Sequence, residues 1–157
     1  MTQGSYCLVV YVNKNELNLR IGKLGKLKFR RGYYFYVGSA MGLENSAASL
    51  ENRIKRYTKI KLNNNNFQKF KNDNNINHFY NIENKKSPKI HWHIDFLLKS
   101  EFTTIIKIYL IPSTQKLECE IAKFLFNLCD NFIERFGCSD CICDSHLFYF
   151  KDLKNFI

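Results

Sequence analysis

A phenol and a guanidinium can meet at one corner of this chain. Tyr36 ends an aromatic run, Gly32-Tyr-Tyr-Phe-Tyr-Val37, and Gly38-Ser-Ala-Met-Gly42 turns the chain into a segment carrying Arg53. Alternation places Tyr34 and Tyr36 on one face of a strand and Tyr33, Phe35 and Val37 on the other. Leu43, Ala47, Leu50, Ile54 and Tyr57 recur at helical spacing, which predicts a helix over 43–58 with Arg53 on the flank of its apolar stripe. A tyrosine and an arginine converging there suit a phosphate. The same pattern is met by an aromatic core strand followed by a helix with solvated arginines.

Three other groups have the residue types for chemistry. Leu117, Ile121, Phe124, Leu125, Leu128 and Phe132 predict a second amphipathic helix, with Ser113 or Thr114 as its cap. Glu118 falls roughly 60° from the centre of that stripe and Glu120 roughly 100° away. Glu118 is therefore the boundary carboxylate that can hold a hydrated Mg²⁺ over a cleft, with Glu120 as fallback. Either could instead complement the helix dipole. His91-Trp-His-Ile-Asp95 could present a metal triad from a strand. As a helix, the reading preferred here, it pairs His91 with Asp95 and turns Ile94, Leu97 and Leu98 inward. Cys138, Cys141, Cys143 and His146 offer four zinc ligands, although one intervening residue between Cys141 and Cys143 is tighter than the usual spacing. Thiols that bind no metal, with His146 and Asp140 hydrogen-bonding the loop, are the default reading.

The elements that must position these groups read as a mixed α/β chain of the α+β type. Tyr6–Val12 predicts a central strand, Asn13–Glu16 a polar turn, and Leu17–Ile21 a second strand completing a hairpin. Lys26–Arg30 alternates basic and apolar residues. With Lys23, Arg31 and, on the helix, Arg56, it supplies cations for nucleic acid, or else charges that protect a sheet edge. Residues 59–89 form an Asn/Lys-rich insert in what is otherwise one domain over 1–157, and Thr103–Ile111 and Leu147–Phe150 predict further strands. The net charge of +10 favours a polyanion, DNA first, and no broad basic amphipathic helix points to a membrane. The longest apolar run, Cys7–Val12, is too short to span a bilayer, and the polar start resembles no secretion signal. A cytoplasmic protein is expected, with thiols or metal ligands rather than disulfides.

Gly4-Ser-Tyr6, Tyr36-Val-Gly38 and Arg53 resemble the GIY-YIG nuclease superfamily. Arg20-Ile-Gly-Lys-Leu-Gly25, His91-Trp-His-Ile-Asp95, Glu118-Cys-Glu-Ile-Ala122, Phe136-Gly-Cys-Ser-Asp-Cys141 and Ser145-His-Leu-Phe148 narrow the resemblance to one largely archaeal branch, sometimes joined to endonuclease III-type glycosylases. The resemblance implies a small central, mostly antiparallel sheet flanked by helices. It also implies metal-dependent hydrolysis of a phosphodiester in DNA, with Mg²⁺ or Mn²⁺ on Glu118, water activation by a strand tyrosine, and Arg53 offsetting charge on the phosphorane. Tyr6 and Tyr36 match the signature tyrosines, and Tyr57 stands where many members have histidine. Ser5, in the middle of the first signature, alternates away from Tyr6. The late asparagine of many members has no clear counterpart. His91, His93, Asp95, Asp140 and His146 are candidates to replace it, with His93 placed among the catalytic residues. A non-catalytic nucleic-acid-binding module serving a repair enzyme, and a zinc-stabilised interaction domain, are the competing expectations.

Overall fold

The computed structural model describes residues 2–62 and 88–156. Most of the 59–89 insert, including Asn63–Asn66, Phe67, Phe70, Phe79 and Tyr80, lies outside them. Five antiparallel strands form one sheet in the order β3-β1-β2-β5-β4. They are β1 (Gly4–Arg20), β2 (Lys26–Ala40), β3 (Thr103–Pro112), β4 (Asn131–Phe132) and β5 (Leu147–Phe150). Helices α1 (Leu50–Leu62) and α2 (His93–Lys99) cover one face, and α3 (Glu118–Leu128) covers the other. The α+β class with a mostly antiparallel sheet is therefore the observed one. Among the described residues, no helix is long and apolar enough to cross a membrane.

Alternation decides which residues meet which helix. Tyr6, Leu8, Val10, Tyr34 and Tyr36 face α1 and α2, where they pack on Ile54, Tyr57, Ile94 and Leu97. Each fully buried aliphatic there contributes roughly 1.5–3 kcal/mol. Cys7, Val9, Phe35 and Val37 face Ala122 and Leu125 of α3. Strand β1 has a helix layer on each side and a strand on each edge, which is why Cys7–Val12 carries no polar residue.

Several expectations are corrected. Residues 6–12 and 17–21 do not form a hairpin. Apart from Ile21, which follows its end, they belong to one continuous strand, β1, and the polar stretch Asn13–Glu16 is exposed chain at a register shift between Val12 and Glu16. The hairpin partner along the whole of β1 is β2, after the tight Gly22–Leu24 turn. Helix α1 begins seven residues later than predicted and runs to Leu62. Leu43 stands 75% exposed in a turn, and Ala47 is exposed as well. Helix α3 starts at Glu118, and Phe124 and Leu128 point largely outward, at 62% and 43% exposure. Its anchor is narrower than the six-residue stripe suggested, and Phe132 belongs to β4. Ser113 accepts a bond from Gln115 N–H in a local turn and does not cap the helix. The α3 entry is tied instead by buried Ser5, whose Oγ accepts the Leu117 N–H at 3.2 Å. Ser5 does alternate away from Tyr6, and that is what delivers it to α3.

Near its C-terminal end, α1 is fastened to the α2–β3 connection by Lys61. Its Nζ donates to the carbonyls of Leu98 (2.9 Å) and Ser100 (2.7 Å) and to Thr103 Oγ1 (2.8 Å). Burial pulls its pKa down from 10.5 to about 8. Between those values the unfolded chain binds more protons than the folded one, so this residue makes stability rise with pH across that window. The three acceptors favour the ammonium and reduce the effect to about 1–2 kcal/mol. Urea unfolding of the wild type from pH 8 to 10, compared with Lys61→Met, should show the extra rise in the wild type alone. Parallel pH profiles would refute it.

Candidate functional site

At the end of the sheet where β1 begins and β2 finishes, a cleft of about 570 Å³ opens between the two helix layers. Tyr6 reaches it because its register partner is Gly38. A Cβ at position 38 would sit 2.3 Å from both Cζ and Oη of Tyr6, so only glycine lets that ring lie across β2. Tyr6 Oη is 2.6 Å from Tyr57 Oη of α1. Tyr57 in turn lies close to Arg53, whose guanidinium is 4.9 Å from the centre of the Trp92 ring. Tyr36 stands beside Tyr6, with ring centres 6.5 Å apart.

The opposite wall comes from α2, α3 and the loop after Phe136. Gly137, at φ +74°, turns its N–H to His93 Nδ1 at 2.9 Å. Burial holds His93 below its ordinary pKa, so the ring is neutral, and the Gly137 bond assigns its proton to Nε2. Glu118 is 7% exposed. Its Oε1 lies 2.9 Å from Nδ1 of buried His146, and its Oε2 accepts from Ser39 Oγ. Burial alone would raise the Glu118 pKa, but the His146 and Ser39 bonds outweigh it and keep the carboxyl below its usual value. The carboxylate is charged at neutral pH, with one protein donor on each oxygen and lone pairs left for a cation. Tyr6 and Tyr36 go the other way. Burial pushes both phenols well above the ordinary value, so at neutral pH they are donors and not phenolate bases.

The cleft brings together Tyr6, Tyr36, Arg53, His93 and Glu118, with Tyr57 behind Tyr6. His91 and Asp140 reach its rim, and His146 supports Glu118 from below. Asp95 does not face the cleft. It is buried beneath the start of α2, accepting the N–H groups of His91 and Trp92 at 2.8 Å and the guanidinium of Arg56. The helical reading of 91–98 holds from His93 onward, with Ile94, Leu97 and Leu98 fully buried, while His91 and Trp92 precede the helix. His91 meets Asp95 through its backbone, however, and not through its ring.

Glu120 is exposed, away from the cleft. The basic ridge of Lys23, Lys26, Lys28, Arg30 and Arg31 is exposed too, but it lies towards the other end of the β1–β2 pair. Lys26, Lys28 and Arg30 are six to ten residues before Tyr36 on β2, roughly 20–30 Å at the usual rise. The ridge therefore does not adjoin the Tyr36 corner, and Lys28 is paired with Glu16 at 3.2 Å. Arg56 is turned towards Asp95 and the Lys89 carbonyl.

Ser39, Trp92, Lys116 and Gly137 also line the cleft and were not singled out by the sequence. Strand alternation could have found Ser39, because it shares the α3-facing side with Val37. Nothing in local sequence marks Trp92 as the platform for Arg53. Beside this cleft, the ligand atoms of Cys119, Cys141, Cys143 and His146 all lie within 4.8 Å of one another, a cluster that can hold a metal ion. Cys119 fills the place expected for Cys138. The Cys138 thiol is buried and donates to the Phe136 carbonyl.

The family model described as domain of unknown function DUF123 matches residues 5–157. The chain belongs to the DUF123 family. The match takes in every residue of the DUF123 cleft, from Tyr6 on β1 to the 137–140 loop. No curated protein matches the chain, and no solved structure does.

Proposed function

We propose that the cleft is the active site of a metal-dependent endonuclease of the GIY-YIG type, hydrolysing phosphodiester bonds in DNA. The observation that carries this reading is the convergence of a charged carboxylate, a guanidinium held over Trp92 and two buried phenols in one cleft, from four separate elements. The resemblance of Gly4-Ser-Tyr6 and Tyr36-Val-Gly38 to the superfamily signatures points the same way, and the net charge of +10 suits a polyanionic substrate.

Glu118 fits Mg²⁺ or Mn²⁺. Its donors are hard oxygens, it is ionised, and a site with one or two carboxylates completed by water and phosphate is ordinary for Mg²⁺. Such an ion supplies charge stabilisation at a phosphate oxygen. His146 and Ser39 hold the carboxylate in place for it. Arg53, fixed between Trp92 and Tyr57, sets a permanent positive charge against the phosphate as negative charge develops. Tyr6 and Tyr36 orient the attacking water by donating to it or to the phosphate. His93 offers Nε2–H as a further donor.

The test is a panel of nicked, flapped, branched and plain duplex DNA incubated with the protein in Mg²⁺ or Mn²⁺. Cleavage of at least one structure is expected, with a loss of at least about a hundredfold in Glu118→Gln. No cleavage of any substrate, or unchanged cleavage by the variant, would sink the proposal. A second reading is favoured by the exposed basic ridge away from the cleft: a non-catalytic DNA-binding module of a cytoplasmic repair system, positioning a partner enzyme. It is selected if the panel shows salt-sensitive binding without cutting.

A further inference from the structure

We propose that Cys119, Cys141, Cys143 and His146 form a structural Zn²⁺ site that locks the first turn of α3 to the C-terminal loop. The site is separate from the hydrolytic reading and would remain if the cleft cut nothing. Three observations support it.

The first is geometric. In tetrahedral zinc with Zn–S about 2.3 Å and Zn–N about 2.0–2.1 Å, sulfur and nitrogen ligands stand about 3.5–3.6 Å apart, and sulfurs about 3.8 Å apart. Cys141 Sγ lies 3.5 Å from His146 Nε2, and all four ligand atoms lie within 4.8 Å of one another. Three thiols and an imidazole are a soft donor set that selects zinc over Mg²⁺ or Ca²⁺.

The second is the surrounding hydrogen bonding. His146 would bind zinc through Nε2, and its Nδ1 is already 2.9 Å from Glu118 Oε1. That is the carboxylate–histidine–metal arrangement which fixes the tautomer and the ring orientation of a zinc ligand. The Arg135 guanidinium gathers the carbonyls of Cys138 (2.6 Å), Cys141 (3.3 Å) and Cys143 (2.9 Å), so the loop is shaped before any ion arrives. On binding, the three thiols release three protons. The resulting Zn(Cys)₃(His) unit carries one net negative charge, set against the nearby Arg135.

The third is need. Ala122 and Leu125 are the fully buried apolar residues of α3, with Ile121 partly buried beside them, so the helix has a narrow apolar anchor. A zinc ion at Cys119 would hold the turn that presents Glu118, and His146 would link the two sites directly.

The experiment is metal analysis of reduced, purified full-length protein, followed by Co²⁺ substitution. About one zinc per chain is expected, and Co²⁺ should give the strong visible bands of tetrahedral coordination with thiolate charge transfer in the near ultraviolet. Cys119→Ser and Cys143→Ser should each abolish stoichiometric zinc, and Cys138→Ser should keep it. If a serine variant fails to fold, the Co²⁺ spectrum of the wild type still decides the coordination. Zinc absent from the reduced wild type, stoichiometric iron in its place, an octahedral Co²⁺ spectrum, zinc retained by Cys119→Ser, or zinc lost from folded Cys138→Ser would each overturn the proposal.

Discussion

Replacing Arg53 with alanine should lower single-turnover DNA cleavage by about 10²–10³-fold while the protein stays folded. Arg53 is half-buried, its guanidinium lies over the Trp92 ring, and Tyr57 is close beside it. Despite its partial burial Arg53 stays cationic, because a guanidinium keeps its proton far above neutral pH. The fold loses little without it. The cation–π contact at a partly open site contributes about 0.5–1 kcal/mol, and Tyr57 keeps its bond to Tyr6. Transition-state charge is a different matter, because a preorganised donor there is worth about 3–4 kcal/mol. Arg53→Lys should recover less than about tenfold, since an ammonium is a point charge and lacks the planar fork that a guanidinium presents to a phosphate. If both variants cut within about threefold of the wild type, Arg53 does not touch the reacting phosphate.

Asp95→Ala should cost about 3–4 kcal/mol of stability, read as the shift in urea unfolding free energy. The residue is fully buried, and one oxygen, Oδ2, accepts the His91 and Trp92 N–H groups and the Arg56 guanidinium. Alanine would leave two backbone donors without partners and take the counter-ion from a cation. Breaking a buried pair from one side costs roughly 3–5 kcal/mol. Two facts bring the figure to the lower part of that range. Arg56 is about one-fifth exposed and keeps the Lys89 carbonyl at 2.8 Å, and Oδ1 has no partner among the described residues. Asp95→Asn, which still accepts from the backbone, should lose less. A loss under about 1 kcal/mol for alanine would mean that the start of α2 is held by something else. Cleavage should fall with stability here, because Asp95 fixes the backbone of Trp92, the platform on which Arg53 rests.

Much of the fold was legible where a period was unbroken. Tyr33–Val37 alternates cleanly, so its two faces could be assigned before the structure. The angle of Glu118 against the α3 stripe separated a buried carboxylate from an exposed Glu120. Where local polarity conflicted with tertiary pairing, the reading failed. Asn13–Glu16 has the composition of a turn, yet it is extended because β2 pairs on both sides of it. Leu43 and Ala47 continue the α1 period, but no helix or sheet surface covers them, so they stay in a turn. Cys119 was overlooked as a ligand because 22 residues separate it from Cys141, and only the packing of α3 against the C-terminal loop closes that gap. The cleft shows the same limit. Tyr36 and Arg53 were legible from spacing and Tyr6 through a resemblance, whereas Trp92 needed the structure.

The pairing of β1 with β2 also bears on the order in which the molecule takes shape. That hairpin closes through the short Gly22–Leu24 turn, so its ladder can zip from the turn with little loop entropy to overcome. The polar contacts of the cleft bridge much longer stretches of chain. Tyr6 meets Tyr57 across 51 residues, Ser39 meets Glu118 across 79, and Ser5 meets Leu117 across 112. Contacts of that separation form late, because closing a long loop costs entropy before the contact repays it. A refolding chain would regain its strand signal well before Glu118 reaches Ser39, and the cleft would be among the last parts of the protein to become competent.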